Sequence, residues 1–466
     1  MRSAILLSPL LIGLHPRNIV GQTVDTVDPA LRGRIDAIAR EVLAKTGVPS
    51  ASVAVVQRGE IVYTHAYGLA RIEPQTAATT EMRYAIGSIS KQFTAAAILL
   101  LQQEGKLSLD DAVGKYLPGL TCGDEVTIRE LLSHTSGYQD YWPEDYVMPP
   151  MLRPETPQQI LDTWAKRPLD FQPGTEWQYS NTNFVIAGEI VEKVSGEPLM
   201  EFLRQHVFVP LGMKSVRDFN ENGLEKGDAT GYYRHALGPL LPAPDVGRGW
   251  GSAAFELAMT AHDLALWDRS MIGHKVLSAD SYKQMFSDVT LKNGSPTHYG
   301  LGVQVLERDG HRVIEHSGEV SGFVSDNEVL IDDGDAVAVL TNQDAVSAAS
   351  SIAHLVAQVL IGKQLSLSPV EQEAYEIYRG LQDGKIDRKN LSPNLNAYFS
   401  EQALEDFKTS LGPLGEPTSF RLTRSVDRGG MTFREFTITY PDRRLQLTTY
   451  SYANGMLEQY LVAPEF

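Results

Sequence analysis

The sequence predicts an α+β fold: an antiparallel sheet flanked by helices with a helical subdomain, followed by a small C-terminal α+β domain. Three observations carry this prediction. Segments with strand character lie at both ends of the region between residues 52 and 341. Helical periodicity dominates between them, up to about Met271. From residue 370 onward, two helical segments precede four segments with strand alternation.

The composition is that of a folded, acidic protein. Of the 466 residues, 42% are hydrophobic and 21% are charged, which are ordinary values for packed domains. The formal net charge is −17 and acidic residues are spread along the chain, which argues against a nucleic-acid partner. Cys122 is the single cysteine, so an intrachain disulfide is excluded. No spacing typical of a metal site occurs, and no metal is predicted.

Residues 1–22 are predicted to be a signal peptide. A basic start, Met1-Arg2-Ser3, precedes an apolar run from Ala4 to Leu14. This run is too short for a stable membrane span, which needs roughly 20 residues. We therefore expect an exported protein, periplasmic or secreted, without a stable membrane span.

Residues 28–362 are predicted to form the main domain. A β-hairpin is expected from the alternating segments 52–56 and 61–63 and the Gly-containing turn between them. Apolar spacing and composition predict helices over 28–45, 88–101, 128–133, 184–194 and 199–207.

Strands return towards the end of this domain. An antiparallel meander is predicted over 299–305, 312–317, 322–331 and 336–341. A closing helix follows at 350–361. We expect these strands to share one sheet with the hairpin, and the helical middle to face that sheet across a cleft suited to a ligand.

The last hundred residues are predicted to be an accessory unit. Residues 363–369 have linker character, and residues 370–466 form the small α+β domain. It carries no catalytic constellation. Its predicted helices and strands cover 371–381, 401–410, 420–424, 431–440, 445–452 and 457–462.

The first chemical motif is Ser88-x-x-Lys91, which opens an Ala/Leu-rich helical segment. Residues three apart share one face of a helix, so the hydroxyl and the amine can come within hydrogen-bonding reach. A lysine kept neutral by burial can accept the serine proton, while amides at the helix start stand ready for an oxyanion. Taken alone, the same pattern is more typical of a capping serine and a solvated lysine.

The second motif is Tyr179-x-Asn181, after the loop signal Pro173-Gly174. In an extended loop, positions i and i+2 project to the same side, so both side chains can enter one cleft. A neighbouring lysine favours the phenolate, which suits Tyr179 to proton relay. Asn181 offers a donor and an acceptor to the substrate or to the lysine. Alone, this motif also fits a buried tyrosine and a turn asparagine.

The third motif is His316-Ser317-Gly318-Glu319, at the end of a predicted strand. Gly318 allows a substrate to lie against the strand edge, and the amide of Glu319 is a candidate second oxyanion donor beside that of Ser88. His316 is expected to present a conditional positive charge near the cleft. A strand histidine alone is more often structural.

In this order, the three motifs resemble those of the serine β-lactamase and penicillin-binding superfamily. The likeness covers about residues 30–362 and is closest to class C β-lactamases, β-lactamase-like carboxylesterases and D-stereospecific peptidases. Further family-typical phrases are Leu131 to Gly137, Pro210-Leu211-Gly212-Met213 and Leu340-Thr341-Asn342.

The resemblance implies a β-lactamase and D,D-peptidase type of fold and a covalent serine hydrolase. Ser88 attacks a carbonyl, Lys91 and Tyr179 manage its proton, and water releases the acyl-enzyme. Asn181 and the segment from His316 to Glu319 are then substrate-binding, and no cofactor is needed. The partner is a small-molecule or peptide substrate. The oligomeric state is not predicted.

One departure from the family pattern bears on the substrate. Many members have a lysine at the position of His316, and an imidazole with an unperturbed pKa near 6.5 holds a substrate carboxylate less firmly. Small esters and D-amino-acid peptides are therefore favoured over β-lactams. The alternative is a penicillin-recognising sensor or peptidoglycan-binding protein that is acylated but hardly turns over.

Overall fold

The structure is a computed structural model, and it describes most of the chain. The described residues are 24–144, 146–362, 367–417, 419–440 and 443–465. The predicted signal peptide at 1–22 and most of the predicted linker, at 363–366, lie outside them. Within the described ranges, no helix combines the length and the apolar character needed to cross a membrane.

The helices of the described residues are named in chain order. They are α1 (Pro29–Thr46), α2 (Ser90–Gln103), α3 (Ile128–Leu132), α4 (Pro157–Ile160), α5 (Asn181–Ser195), α6 (Leu199–Leu203), α7 (Val209–Leu211), α8 (Phe219–Asn222), α9 (Ala261–Gly273), α10 (Ala279–Met285), α11 (Ala348–Leu360), α12 (Pro369–Gln382), α13 (Pro393–Tyr398) and α14 (Glu401–Leu411).

The strands are named in the same way. They are β1 (Ser50–Gln57), β2 (Glu60–Arg71), β3 (Thr76–Ala77), β4 (Tyr84–Ala85), β5 (Arg217–Asp218), β6 (Tyr232–Tyr233), β7 (Leu241–Pro242), β8 (Leu257–Met259), β9 (Gln304–Arg308), β10 (His311–Val320), β11 (Phe323–Leu330), β12 (Asp335–Thr341), β13 (Ser419–Arg428), β14 (Met431–Thr439), β15 (Arg444–Tyr452) and β16 (Leu457–Pro464).

The main sheet joins distant parts of the chain, as predicted. Its seven strands have the order β3-β2-β1-β12-β11-β10-β9. The pairing of β1 with β12 is antiparallel and places Val53 opposite Val339. Because both faces of β1 are covered, seven of its eight residues are buried, including the apolar run from Val53 to Val56.

Helices cover both faces of this sheet. On one face, α1 and α11 pack over alternate residues such as Val53 and Val55. On the other face, Ala54 and Val56 join the larger core that includes α2, α5 and α9. Helix α2 is buried from Ser90 to Leu99, because its side chains meet the sheet on one side and the helical subdomain on the other. The residues at its start therefore lie deep in the molecule.

The prediction is wrong for the first strand of the meander. Residues 299–303 are a bent segment, and β9 begins only at Gln304. Gly302 has φ +72°, and a Cβ there would lie 2.9 Å from the carbonyl oxygen of Lys91. The segment follows the start of α2 instead of the sheet, because close packing against that helix replaces ladder pairing.

The C-terminal residues form a four-stranded antiparallel sheet, β13-β14-β15-β16, with a hydrophobic core of its own. Buried and less buried residues alternate along β15, as expected for a sheet with one covered face. Helix α12 packs on that face through Ala374, Tyr378 and Leu381. The α+β fold prediction is thus confirmed in both parts, although α13 was not predicted.

Candidate active site

Ser88 lies in a single 3-10 turn, Gly87–Ile89, that leads directly into α2. Gly87 has φ +52°, and a Cβ at this position would lie 2.6 Å from the backbone nitrogen of Glu319. Only glycine allows the chain to turn in this way and still contact β10. The turn therefore presents the Ser88 hydroxyl, which is only partly buried, between the helix start and the strand.

Lys91 follows one helical turn later and is fully buried. Its Nζ lies 2.9 Å from Ser88 Oγ, 2.8 Å from Asn181 Oδ1 and 3.0 Å from the carbonyl oxygen of Ala254. Burial lowers the pKa of Lys91 to about 7, against the opposing effect of Asp140. In the neutral amine the two carbonyl oxygens can accept both hydrogens, so the lone pair faces the Ser88 hydroxyl.

Tyr179 stands just before α5 and faces the same amine. Its ring centroid lies 4.9 Å from Lys91 Nζ, and its buried hydroxyl makes no hydrogen bond within the described structure. Burial raises the pKa of Tyr179 far above its usual value, and the nearby Ser88 hydroxyl opposes this only in part. The expectation of a favoured phenolate is wrong, because the desolvation of the buried phenol dominates its pKa.

Asn181 is the first residue of α5, so it is helical and not part of the predicted loop. Its Oδ1 accepts from Lys91 at 2.8 Å, while its Nδ2 lies 3.2 Å from Asp140 Oδ1. Its backbone N–H donates to the same carboxylate at 2.9 Å. Asp140 thereby fixes which end of the amide faces the lysine.

His316 is the next predicted site residue, and its imidazole is neutral. Its Nδ1 donates to the carbonyl oxygen of Ser317 at 2.5 Å, so its Nε2 accepts from the Tyr299 hydroxyl at 2.8 Å. Burial, with Lys91 nearby, lowers the pKa of His316 to about 3. The expected conditional positive charge is therefore absent at neutral pH.

The other residues of this motif contribute through their backbone. A Cβ on Gly318 would lie 1.9 Å from the carbonyl oxygen of Ile86, which shows how closely β10 approaches the Ser88 turn. Side chains alternate along a strand, so Ser317 and Glu319 point away from the face that carries His316. The Glu319 carboxylate accepts from the backbone of Ala345 at 2.8 Å. Its amide remains beside Gly87, where the sequence predicted an oxyanion donor.

This arrangement agrees with the comparisons with known proteins. The model of the Beta-lactamase family matches residues 35–361. The chain belongs to this family. Curated relatives include D-aminopeptidase from Brucella anthropi, 29% identical over 298 residues, which are 62% of this chain and 55% of that protein. Penicillin-binding protein 4* from Bacillus subtilis is 30% identical over 308 residues, 63% of this chain and 68% of that protein. The chain thus matches only about half the length of the first of these relatives.

Solved structures with the beta-lactamase-family fold extend the comparison. The octameric penicillin-binding protein homologue from Pyrococcus abyssi has a TM-score of 0.64 at 23% identity, covering 92% of this chain and 99% of its own. The D-stereospecific amidohydrolase from Streptomyces sp. has a TM-score of 0.62 at 28% identity, covering 72% of this chain and 100% of its own. The first likeness concerns the fold alone, and it reaches into the C-terminal sheet.

Two residues that the sequence did not single out support the site of this beta-lactamase-family chain. Asp140 is one of them. The other is His134, whose Nδ1 accepts from the Ser180 N–H at 3.1 Å and whose ring lies 4.2 Å from that of Tyr179. Burial and the proximity of Lys91 lower its pKa well below the usual range. His134 belongs to the family-typical phrase Leu131 to Gly137, and it positions Tyr179 through packing.

In the described residues, no cluster of three or more His, Cys, Asp or Glu is arranged to hold a metal ion. The structure brings Ser88, Lys91, Tyr179, Asn181 and His316 to one crevice. In this crevice a proton can pass from the Ser88 hydroxyl to the Lys91 amine. The amides of Ser88 and Glu319 flank the Gly87 turn, where an oxyanion would be bound.

Proposed function

We propose that the protein is a serine hydrolase that forms an acyl-enzyme on Ser88. The observation that carries the proposal is the position of Lys91, a buried amine with a pKa near 7 and Nζ 2.9 Å from Ser88 Oγ. Ser88 Oγ bonds to the substrate carbonyl carbon while its proton passes to Lys91. The leaving amine or alcohol takes a proton relayed by Tyr179, and water then cleaves the ester to regenerate Ser88.

The preferred substrates are proposed to be D-amino-acid amides and short D-peptides, followed by small esters. Because His316 is neutral, it offers no cation to a substrate carboxylate, so β-lactams are poor substrates. The Asp140 carboxylate, which contacts Asn181, favours a substrate that carries an ammonium group. The names of the D-aminopeptidase and D-stereospecific amidohydrolase relatives support the same substrate class.

The test is covalent labelling followed by a substrate panel. A fluorophosphonate should add one adduct to the wild-type protein and none to Ser88→Ala, with Ser410→Ala, an exposed serine of α14, labelled like wild type. An adduct retained in Ser88→Ala would refute the proposal. Hydrolysis of D-amino-acid p-nitroanilides, p-nitrophenyl esters and nitrocefin then ranks the substrates, and nitrocefin is expected to be the slowest.

A penicillin-recognising sensor is the second candidate, and the buried phenol of Tyr179 favours it. A tyrosine with a strongly raised pKa stays protonated at neutral pH, so little phenolate is present to activate the water that releases the acyl group. The lifetime of a penicillin adduct on Ser88 separates the two functions. Release within seconds indicates an enzyme, whereas an adduct that lasts for hours indicates a sensor.

We also propose that the protein is exported. The support is the predicted signal peptide at 1–22, which lies outside the described residues. N-terminal sequencing of the protein recovered from the periplasm or medium would test this. A mature chain that begins at Met1, or one found only in the cytoplasm, would contradict it.

A further inference from the structure

The covered face of the C-terminal sheet changes from apolar to polar along its length. At one end, Phe436 and Leu447 stand opposite each other and belong to the core. One pair further along, Arg434 stands opposite Thr449. The next pair on the same face is Thr432 and Ser451. Thr449 and Ser451 are nonetheless buried, so this polar end is enclosed and is not simply an exposed edge.

A cavity of about 230 Å³ lies between this polar end and α12. Its apolar wall includes Val370 and Ile377 of the helix and Phe436 of the sheet. A second cavity of about 210 Å³ adjoins it and shares Ile377 and Leu457 in its lining. Pockets that hold drug-sized ligands typically have volumes of roughly 300–1,000 Å³. Each of these cavities is smaller, and its size fits a small metabolite.

Two opposite charges face this cavity without pairing. The half-buried guanidinium of Arg434 donates to Ser451 Oγ at 2.8 Å, and it makes no ion pair with any residue in the described ranges. The carboxylate of Glu373, an exposed residue of α12, also lines the cavity. A half-buried guanidinium in a cavity with both polar and apolar walls is stabilised by an anion that can accept from its fork of donors.

We propose that this cavity binds a free α-amino acid, with its carboxylate on Arg434, its ammonium on Glu373 and its side chain against Val370, Ile377 and Leu457. A simple anion fits less well, because Glu373 repels it. A simple cation fits less well, because Arg434 repels it. A small molecule that carries both charges and an apolar side chain matches Arg434, Glu373 and the apolar residues of the lining. The site is separate from Ser88, and its occupancy does not depend on the proposed hydrolysis.

The first experiment measures binding by calorimetry to the full-length Ser88→Ala protein, which cannot form an acyl-enzyme. D-Leucine and L-leucine are titrated beside L-leucinamide, which lacks the carboxylate, and N-acetyl-L-leucine, which lacks the ammonium; neither analogue belongs to the D-amino-acid class proposed as substrates of the Ser88 site. At least one leucine enantiomer should bind, and each analogue should bind at least about tenfold more weakly, because each loses a hydrogen bond to a charged group. The amide resembles the first residue of a peptide and the N-acetyl compound resembles the last, so the same titrations also test whether a peptide end binds instead of a free amino acid. An analogue that binds as well as leucine, or no binding of either enantiomer, would overturn the proposal.

The second experiment places the ligand in the cavity. Arg434→Gln and Glu373→Gln should each weaken leucine binding at least about tenfold, and Arg434→Lys should retain part of it. The matched control is Arg424→Gln on β13, whose guanidinium lies 6.0 Å from the Phe433 ring centroid on the opposite face of the sheet. Thermal unfolding verifies that each variant is folded. Unchanged binding in Arg434→Gln, or an equal loss in Arg424→Gln, would place the ligand elsewhere and refute the inference.

Discussion

The two faces of β10 and β11 bury ionisable side chains in different ways. On the crevice face, His316 stands opposite Asn327, and both imidazole nitrogens have partners. On the opposite face, beneath α11, Glu315 stands opposite Glu328 and Asp326 lies beside them. Arg308 binds Glu315 at 2.6 Å and Glu328 at 2.9 Å. Within the described structure, neither oxygen of Asp326 has a hydrogen-bond partner.

Burial favours the neutral forms of the ionisable groups on both faces, but the basic groups of the crevice become neutral by losing a proton and the acidic groups of the opposite face by keeping one. Burial lowers the pKa of Lys91 and of His316, so the crevice loses protons. Burial raises the pKa of Asp326, and the neighbouring Glu315 and Glu328 raise it further, so the opposite face gains protons. A perturbed pKa therefore does not by itself identify a reactive site. The crevice differs because its buried amine, Lys91, and its buried imidazole, His316, are both hydrogen-bonded, and because the amine contacts a partly exposed nucleophile, Ser88.

Removing the amine is the largest perturbation of the crevice. Lys91→Ala should lower kcat/KM for a D-amino-acid p-nitroanilide by about 10²–10⁴-fold, the range typical of a lost general base. Lys115→Ala is the matched control, because Lys115 is an exposed lysine paired with Asp111. A loss below about tenfold in Lys91→Ala would show that the hydroxyl proton leaves by another route.

The wild-type pH profile tests the same residue without a mutation. The reactive form of Lys91 is the neutral amine, so kcat/KM should rise with pH and level off above the pKa of about 7. Below that pKa, activity should fall close to tenfold for each pH unit, because the neutral fraction of Lys91 decreases in that proportion. Activity that is flat between pH 5 and 8 would contradict a neutral Lys91 as the base.

Asp140 sharpens the comparison, because it is a partly buried carboxylate that has partners, unlike Asp326. Asp140→Asn removes a charge that raises the pKa of Lys91, so the rising limb of the pH profile should move to lower pH. The variant also loosens the orientation of Asn181, and kcat/KM should fall by about ten- to a hundredfold. A lower rate with an unmoved pH limb would indicate a structural role only.

The sequence predicted helices and strands well where the hydrophobic residues of a segment follow a single periodicity. Helix α5 and strands β14, β15 and β16 were predicted to within a few residues, because each has one buried face that imposes a clear alternation. The segment from 299 to 303 has the composition of a strand, but Gly302 packs against the backbone of Lys91. A contact between parts of the chain so far apart leaves no local pattern. The short helix α13 has only six residues and gives little periodicity.

The site was predictable in its residues and not in its charges. Ser88, Lys91, Tyr179, Asn181 and His316 were found because their motifs have fixed spacing and a fixed order. The protonation of Tyr179 and His316 depends on how completely the fold removes them from water, and that cannot be read from neighbouring residues. Asp140 was missed because its role exists only through contact with Asn181, 41 positions away.

A smaller effect is expected when a lysine replaces His316 and places a positive charge in the crevice. His316→Lys should raise the ratio of activity on carboxylate-bearing substrates to activity on neutral esters by about fivefold, the equivalent of roughly 1 kcal/mol. The measurement is kcat/KM for matched pairs of esters that differ only in a carboxylate. An unchanged ratio would mean that position 316 does not contact the substrate, and the proposed preference against carboxylate-bearing substrates would then need another cause.

The smallest expected effect concerns stability and tests the opposite face. The pKa of Asp326 is raised in the folded state, so the folded protein holds this proton more tightly than the unfolded chain does. Stability therefore falls as pH rises above the unfolded value near 3.9, since the unfolded chain ionises first. Asp326→Asn removes this penalty and should raise Tm by about 1–3 °C at pH 7, with the gain shrinking as the pH approaches 4. The same substitution should leave kcat/KM unchanged, because Asp326 faces α11. A gain that does not vary with pH would show that it does not come from the ionisation of Asp326, and the contrast between the two faces would then fail.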